Sequence, residues 1–175
     1  MTTPAPDWRT ARAETLLHLQ RMIGLNTVNP PGNEMQVARY LDGVLREEGI
    51  ETHVFEPAPG RAAFIARLAG TGAKRPVLLL AHMDVVGVER EHWSVDPFAG
   101  VIKDGFLYGR GAIDDKGMLA ANLETMLLLK RNGFTGFLLD DHVPHMIDDT
   151  PWAHRGRAHA IGYMQGLLRA IETLT

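Results

Sequence analysis

The chain has 175 residues, 45% of them hydrophobic and 22% charged, enough for one domain with a proper core and hardly for two. Its 18 basic and 21 acidic residues leave a formal net charge of -3, which gives no electrostatic case for nucleic acid or an anionic membrane as partner. Cysteine is absent, so no disulfide frame exists, any metal must be held by His, Asp or Glu, and a reducing compartment fits. Residues 1–12 are polar, with Pro4, Pro6, Asp7 and Arg9, and lack the apolar core of a secretory signal. The longest apolar run, residues 77–81, is far too short to cross a bilayer. A soluble, cytoplasmic protein is expected.

In chain order, residues 8–23 set Leu16, Leu17, Leu19, Met22 and Ile23 on one stripe, which predicts a helix ending at Gly24. Asn29-Pro30-Pro31-Gly32-Asn33 breaks the backbone and caps the next element. Residues 34–48 predict a second amphipathic helix, with Val37, Tyr40, Leu41, Val44 and Leu45 apolar and Gly49 as its stop. Two strands are predicted at 52–57 and 62–68, separated by Pro57-Ala58-Pro59-Gly60. Residues 76–81 are uniformly apolar and short, as in a strand covered on both faces. Residues 101–103 and 106–108 flank Asp104-Gly105, a strong hairpin signal. Helical spacing returns over 115–131, through Met118, Leu119, Leu123, Met126 and Leu127, and closes at Gly133. This alternation of helices and strands predicts an α/β fold.

Three stretches then divide the chain: 1–133, where the signals agree; 134–159, an irregular junction rich in Asp, His and Pro; and 160–175, a terminal helix of the same domain. The junction is longer than compact domains usually tolerate without a function.

Two constellations carry chemistry. His82-Met83-Asp84 follows the predicted strand 76–81, and the end of a strand is where open α/β sheets present ligand-binding groups. In an extended segment the side chains of His82 and Asp84 share a face, so the carboxylate can fix the imidazole's tautomer, as beside a metal-ligating His. A strand-end His with a solvated Asp is the plainer reading. The second is Gly109-Arg110-Gly111-Ala112-Ile113-Asp114-Asp115-Lys116-Gly117, with three glycines and two adjacent carboxylates between a hairpin strand and a helix start. One Asp there would serve simply as an N-cap. Its Gly-x-Gly is no phosphate fingerprint, because the rest of that pattern is absent.

Taken in order, Leu79-Leu80-Ala81-His82-Met83-Asp84-Val85-Val86, Trp93-Ser94-Val95-Asp96-Pro97-Phe98 and residues 104–117 closely resemble the M20 family of zinc metallopeptidases and amidohydrolases. Aminoacylases, desuccinylases and glutamate carboxypeptidases belong to that family. The resemblance implies a single three-layer α/β domain with a mixed, mostly parallel sheet flanked by helices, here lacking the family's inserted dimerisation domain. It implies zinc, one or two ions with cobalt or manganese as substitutes. His82 is then a ligand to one ion, Asp84 the carboxylate that orients it, and Asp114 the carboxylate bridging two. Asp115 is the neighbour in an Asp-Asp peptide. Two such ions about 3.5–4 Å apart generate a hydroxide at neutral pH. His154, in Trp152-Ala153-His154, resembles the late His that binds the second ion. Arg110 and Trp93 are expected to pack around the site.

The resemblance also has a gap. The family's Glu-Glu pair, whose first member is the general base, should follow the helix 115–131, yet no Glu occurs between Glu124 and Glu172. Asp140, Asp141, Asp148 and Asp149 are the carboxylates that could stand in, and their spacing favours none. A chain joined from the N- and C-terminal pieces of the family's catalytic domain, its middle lost, accounts for the pattern. The expected function is metal-dependent hydrolysis of amide or peptide bonds in N-acyl amino acids or small peptides, impaired for want of the general base. The alternative is a non-catalytic metal-binding or interaction domain that associates, with itself or a partner, through apolar surface exposed by the loss. An unrelated α/β domain whose His and Asp are caps and surface groups is the third reading.

Overall fold

In a computed structural model of the chain, residues 7–70, 72 and 75–133 are described. The chain divides into two compact units, the first comprising Met1–Ala73 and Leu79–Thr135, the second Lys74–Leu78 and Gly136–Thr175. Every described helix and strand lies in the first.

Helix α1 (Trp8–Gly24) starts at Asp7, whose Oδ1 accepts from the backbone amides of Arg9 and Thr10 at 3.1 and 3.3 Å. Such a cap satisfies donors that have no partner inside the helix. Helix α2 (Met35–Glu47) buries Val37, Ala38, Leu41 and Leu45. Strands β1 (Glu51–Ala58) and β2 (Arg61–Arg67) pair antiparallel, Thr52 opposite Ala66 and Val54 opposite Phe64. Strands β3 (Val101–Lys103) and β4 (Phe106–Tyr108) form a second hairpin about Asp104-Gly105, both at positive φ (52° and 80°), as a primed two-residue turn requires. Helix α3 (Lys116–Arg131) comes next. The core gathers Met22 of α1, Val37, Leu41 and Leu45 of α2, Ile50 at the head of β1, and Ala120, Leu123 and Leu127 of α3. All eight are almost wholly withdrawn from water, the dominant stabilising term for such a unit.

The α/β reading therefore holds, with each helix and hairpin predicted before residue 133 within about two residues of its place; the junction 134–159 and the terminal helix predicted at 160–175 lie outside the described residues. The run 76–81 differs. It forms no ladder, and Val77, Leu79 and Leu80 are 48%, 36% and 46% exposed. A strand apolar on both faces needs neighbours along its edges and layers above and below, and no described strand lies alongside it. The described strands form two separate two-stranded antiparallel sheets. The parallel pairing among the described residues is a single bridge between Val28 and Val85. No described helix is long and apolar enough to cross a membrane.

Candidate metal centre

The bridge Val28–Val85 is where the site begins. Val85 donates its amide to the carbonyl of Thr27 (3.0 Å) and accepts from the amide of Asn29 (2.9 Å). The Thr27 hydroxyl donates to the carbonyl of Met83 at 2.7 Å. Residues 27–29, just past α1, thus hold 82–85 in place. The second stretch, 109–116, is folded tightly on itself, with Ala112 N donating to Gly109 O (3.1 Å) and Lys116 N to Gly111 O (2.9 Å). Gly111 sits at φ +82°, and a Cβ there would fall 2.7 Å from Val85 Cγ1. Only glycine permits both that backbone and that approach.

These two stretches bring His82 and Asp114 together. The imidazole Nε2 lies 3.0 Å from Asp114 Oδ1, with side-chain exposures of 50% and 85%. On the other side of the ring, Nδ1 faces Asp84 Oδ1 at 3.1 Å and the Asp84 carbonyl at 3.0 Å. Burial disfavours the imidazolium, but the hydrogen bond to Asp114, the Asp84 carbonyl and the charges of Asp115 and Asp84 outweigh it, so His82 titrates above its ordinary value. Asp84 titrates below the usual carboxylate range, chiefly because Asn29 Nδ2 donates to its Oδ2 at 2.9 Å and the imidazole stands beside it.

Asp115 decides between the two readings of this loop. It occupies the N-cap position of α3 but makes no capping bond. Its Oδ2 accepts instead from the backbone amide of His82 at 3.1 Å, tying the two stretches together. The Asp114–Asp115 peptide bond is cis. Arg110 lies over the ring of Trp93, 5.4 Å from its centroid, as a packing pair.

Sequence reasoning missed Lys116. It is wholly buried, and its Nζ donates to the carbonyls of Met22 (2.8 Å) and Leu25 (2.7 Å) at the end of α1. Burial lowers its pKa from 10.5 to about 8. A signal existed: a lysine in the first turn of a helix opposes the helix dipole and calls for another partner.

The donor set suits a borderline divalent ion, one imidazole nitrogen and one carboxylate oxygen. Two ligands of a tetrahedral zinc stand about 3.3 Å apart at bond lengths of ~2.0–2.1 Å, so the His82–Asp114 separation fits two corners of such an ion. No group of three potential ligands occurs among the described residues. His154, Asp140, Asp141, Asp148 and Asp149 lie outside them.

A model of Peptidase family M20/M25/M40 matches residues 78–136. Aminoacylase-1 of Sus scrofa is 32% identical over 139 residues, 78% of this chain and 34% of that protein. The N-fatty-acyl-amino acid synthase/hydrolase PM20D1 of Bos taurus is 51% identical over 59 residues, 33% of this chain and 12% of that one. Among solved structures, the M20 family metallo-carboxypeptidase Sso-CP2 from Sulfolobus solfataricus superposes with a TM-score of 0.60 at 28% identity, over 70% of this chain and 28% of that one. Fold and site define an α/β domain presenting a His–Asp pair on a carboxylate-braced loop. The chain belongs to the M20 peptidase family. It spans about a third of the length of its aminoacylase relative.

Proposed function

We propose that this chain binds zinc through His82 and Asp114 and hydrolyses amide bonds of N-acyl amino acids or small peptides, at a rate limited by the missing general base. The observation that carries this reading is the 3.0 Å approach of His82 Nε2 to Asp114 Oδ1, with Asp84 on the far side of the ring. In this reading Asp84 fixes the imidazole so that Nε2 is the ligating nitrogen, Asp114 supplies the bridging carboxylate, and His154 serves a second ion. When bound, the ion polarises the substrate carbonyl and lowers the pKa of water. Asp115 holds the amide of His82 and keeps that ring over Asp114.

Proton transfer from water contributes about 10²–10⁴ in rate when a carboxylate is positioned for it. With no Glu between Glu124 and Glu172, turnover slower than a complete family enzyme by about that factor is expected. The same gap favours a second reading, a metal-binding domain without catalysis. In both, the chain unites N-terminal (1–133) and C-terminal (160–175) pieces of a three-layer domain through the junction 134–159 and resides in the cytoplasm; in the first it works on a small molecule. The parallel bridge Val28–Val85 supports the parallel sheet of that architecture, and exposed Val77 and Leu80 support self-association.

Zinc titration of the purified chain, then release of free amino acid from an N-acetyl amino acid, tests the proposal. Binding that is lost in H82A and D114A, with slow zinc-dependent release, is expected. Binding without release selects the second reading, and no binding rejects both.

A further inference from the structure

The turn Asn29-Pro30-Pro31-Gly32-Asn33 reads from sequence as a backbone breaker. In the fold it is the floor of a polar chain that runs to the imidazole. Glu34, at the entry to α2, is 4% exposed, and its Oε2 lies 2.8 Å from Arg61 Nε. Arg61 begins β2, and its hairpin is seated on the turn by the amide of Met35 donating to the carbonyl of Gly60 (3.0 Å). Gly32 is at φ +111°, and a Cβ there would fall 2.7 Å from both Glu34 carboxylate oxygens and 2.8 Å from Arg61 Cδ. The turn therefore leaves a niche shaped for this ion pair.

From the niche, Arg61 Nη1 donates to Asn29 Oδ1 at 3.4 Å, and Asn29 Nδ2 donates to Asp84 Oδ2 at 2.9 Å. The order of these bonds is dictated by chemistry. A guanidinium only donates, so the oxygen of the Asn29 amide turns toward it and the NH₂ turns away. That NH₂ occupies one oxygen of Asp84 and leaves Oδ1 for His82 Nδ1, 3.1 Å away. The outer end is anchored by a buried charge, the inner end by a candidate ligand.

We propose that Asn29 and Arg61 are positioning residues for His82, acting through Asp84, so that the β1–β2 hairpin sets the aim of the metal-facing nitrogen. The inference rests on reading His82 and Asp114 as ligands. Groups that orient a metal ligand are worth about 10–100-fold in affinity, and that is the effect expected here.

The test is cobalt(II) titration of the full chain, read by visible absorption, for wild type, N29A, N29D, R61M, R61K, D84A and the double variant N29A/D84A. Melting of each metal-free chain shows that it folds. N29A and R61M are expected to weaken cobalt binding about 10-fold or more and to alter the cobalt band shape, while R61K retains affinity. N29A/D84A is expected to bind no more weakly than D84A alone, because Asn29 has nothing left to hold. N29D, which sets a second carboxylate against Asp84, should bind more weakly than N29A. Wild-type uptake with N29A unchanged, or single losses that multiply in the double variant, overturns this inference alone. A wild-type chain that takes up no cobalt overturns the metal reading and this inference with it.

Discussion

Replacing Lys116 by Met keeps the bulk of a buried side chain and removes its charge and both donors. At neutral pH two effects oppose one another. Holding the ammonium where its pKa is about 8 instead of 10.5 costs about 3 kcal/mol, at ~1.4 kcal/mol per pH unit. Against that stand two charge-assisted hydrogen bonds, to Met22 O and Leu25 O, worth about 1.5–3 kcal/mol each. Met22 O also accepts from the amide of Leu25, so the Met variant strands chiefly the Leu25 carbonyl. K116M should therefore be less stable than wild type by about 1–3 kcal/mol at pH 7. The sign of the pH effect comes from the lowered pKa. Between about 8 and 10.5 the unfolded chain holds this proton and the folded chain does not, so folding stability rises with pH across that window. Below pH 8 both states are protonated and the slope vanishes. The neutral amine still donates to both carbonyls, so the gap between wild type and K116M should widen by up to ~3 kcal/mol from pH 7.5 to 10.5. Urea unfolding of the two proteins at matched pH reads the gap directly, because titrations common to both cancel. A gap that stays constant or narrows refutes the reasoning.

Three further outcomes are expected. His18 is buried against Tyr40, its Nδ1 2.7 Å from the hydroxyl, and burial holds its pKa below the ordinary value. Its contribution is present above pH 6.5 and lost as pH falls through the folded value, so wild type should lose melting temperature below pH 6.5 more steeply than H18Q. Glu124 of α3 is 4% exposed with neither carboxylate oxygen hydrogen-bonded among the described residues, and burial, then the charge of Glu14, raise its pKa. Stability from that group falls as pH rises from 4.5 through the folded value, so E124Q should be the more stable protein at pH 7, by about 1 kcal/mol, with the advantage shrinking toward pH 4.5 in urea unfolding. G111A forces a side chain into a left-handed backbone and against Val85; a loss of about 2 kcal/mol or more, with weaker zinc binding by titration, is expected.

Much of the fold was legible in local chemistry. Helix α3 comes from Leu119, Leu123 and Leu127 recurring at helical spacing, and the β3–β4 hairpin from Asp104-Gly105, because both signals are complete within a few residues. The run 76–81 misled for the opposite reason: an apolar strand pattern states that a segment wants neighbours, not that they are present. At the site, His82, Asp84 and Asp114 stood out only through the combined stretches 79–86, 93–98 and 104–117 that resemble the M20 family, since each motif alone has a plain structural reading. Asn29 and Arg61 did not, since Asn29 meets Asp84 across 55 residues of chain and Arg61 meets Asn29 across 32, and no local rule links an asparagine in a turn to a carboxylate on another segment. Asp115 looked like a cap and is a tether.

What the bonds connect also separates binding from catalysis in this molecule. Among the described residues, the contacts that aim His82 and Asp114 run from Thr27 and Asn29 to residues 83–85, from Asp115 to His82, and from Lys116 to the end of α1. In the proposed reading, pre-organisation of this ligand pair rests on these supporting contacts, which lie in the N-terminal part of the chain. The proton shuttle is a different matter, because the Glu that would supply it has no counterpart from 125 to 171. A domain of this construction is expected to lose turnover long before it loses metal. Restoring a carboxylate near the junction should then raise the rate of amide hydrolysis without changing zinc affinity, a split that no defect in the His82–Asp114 pair could produce.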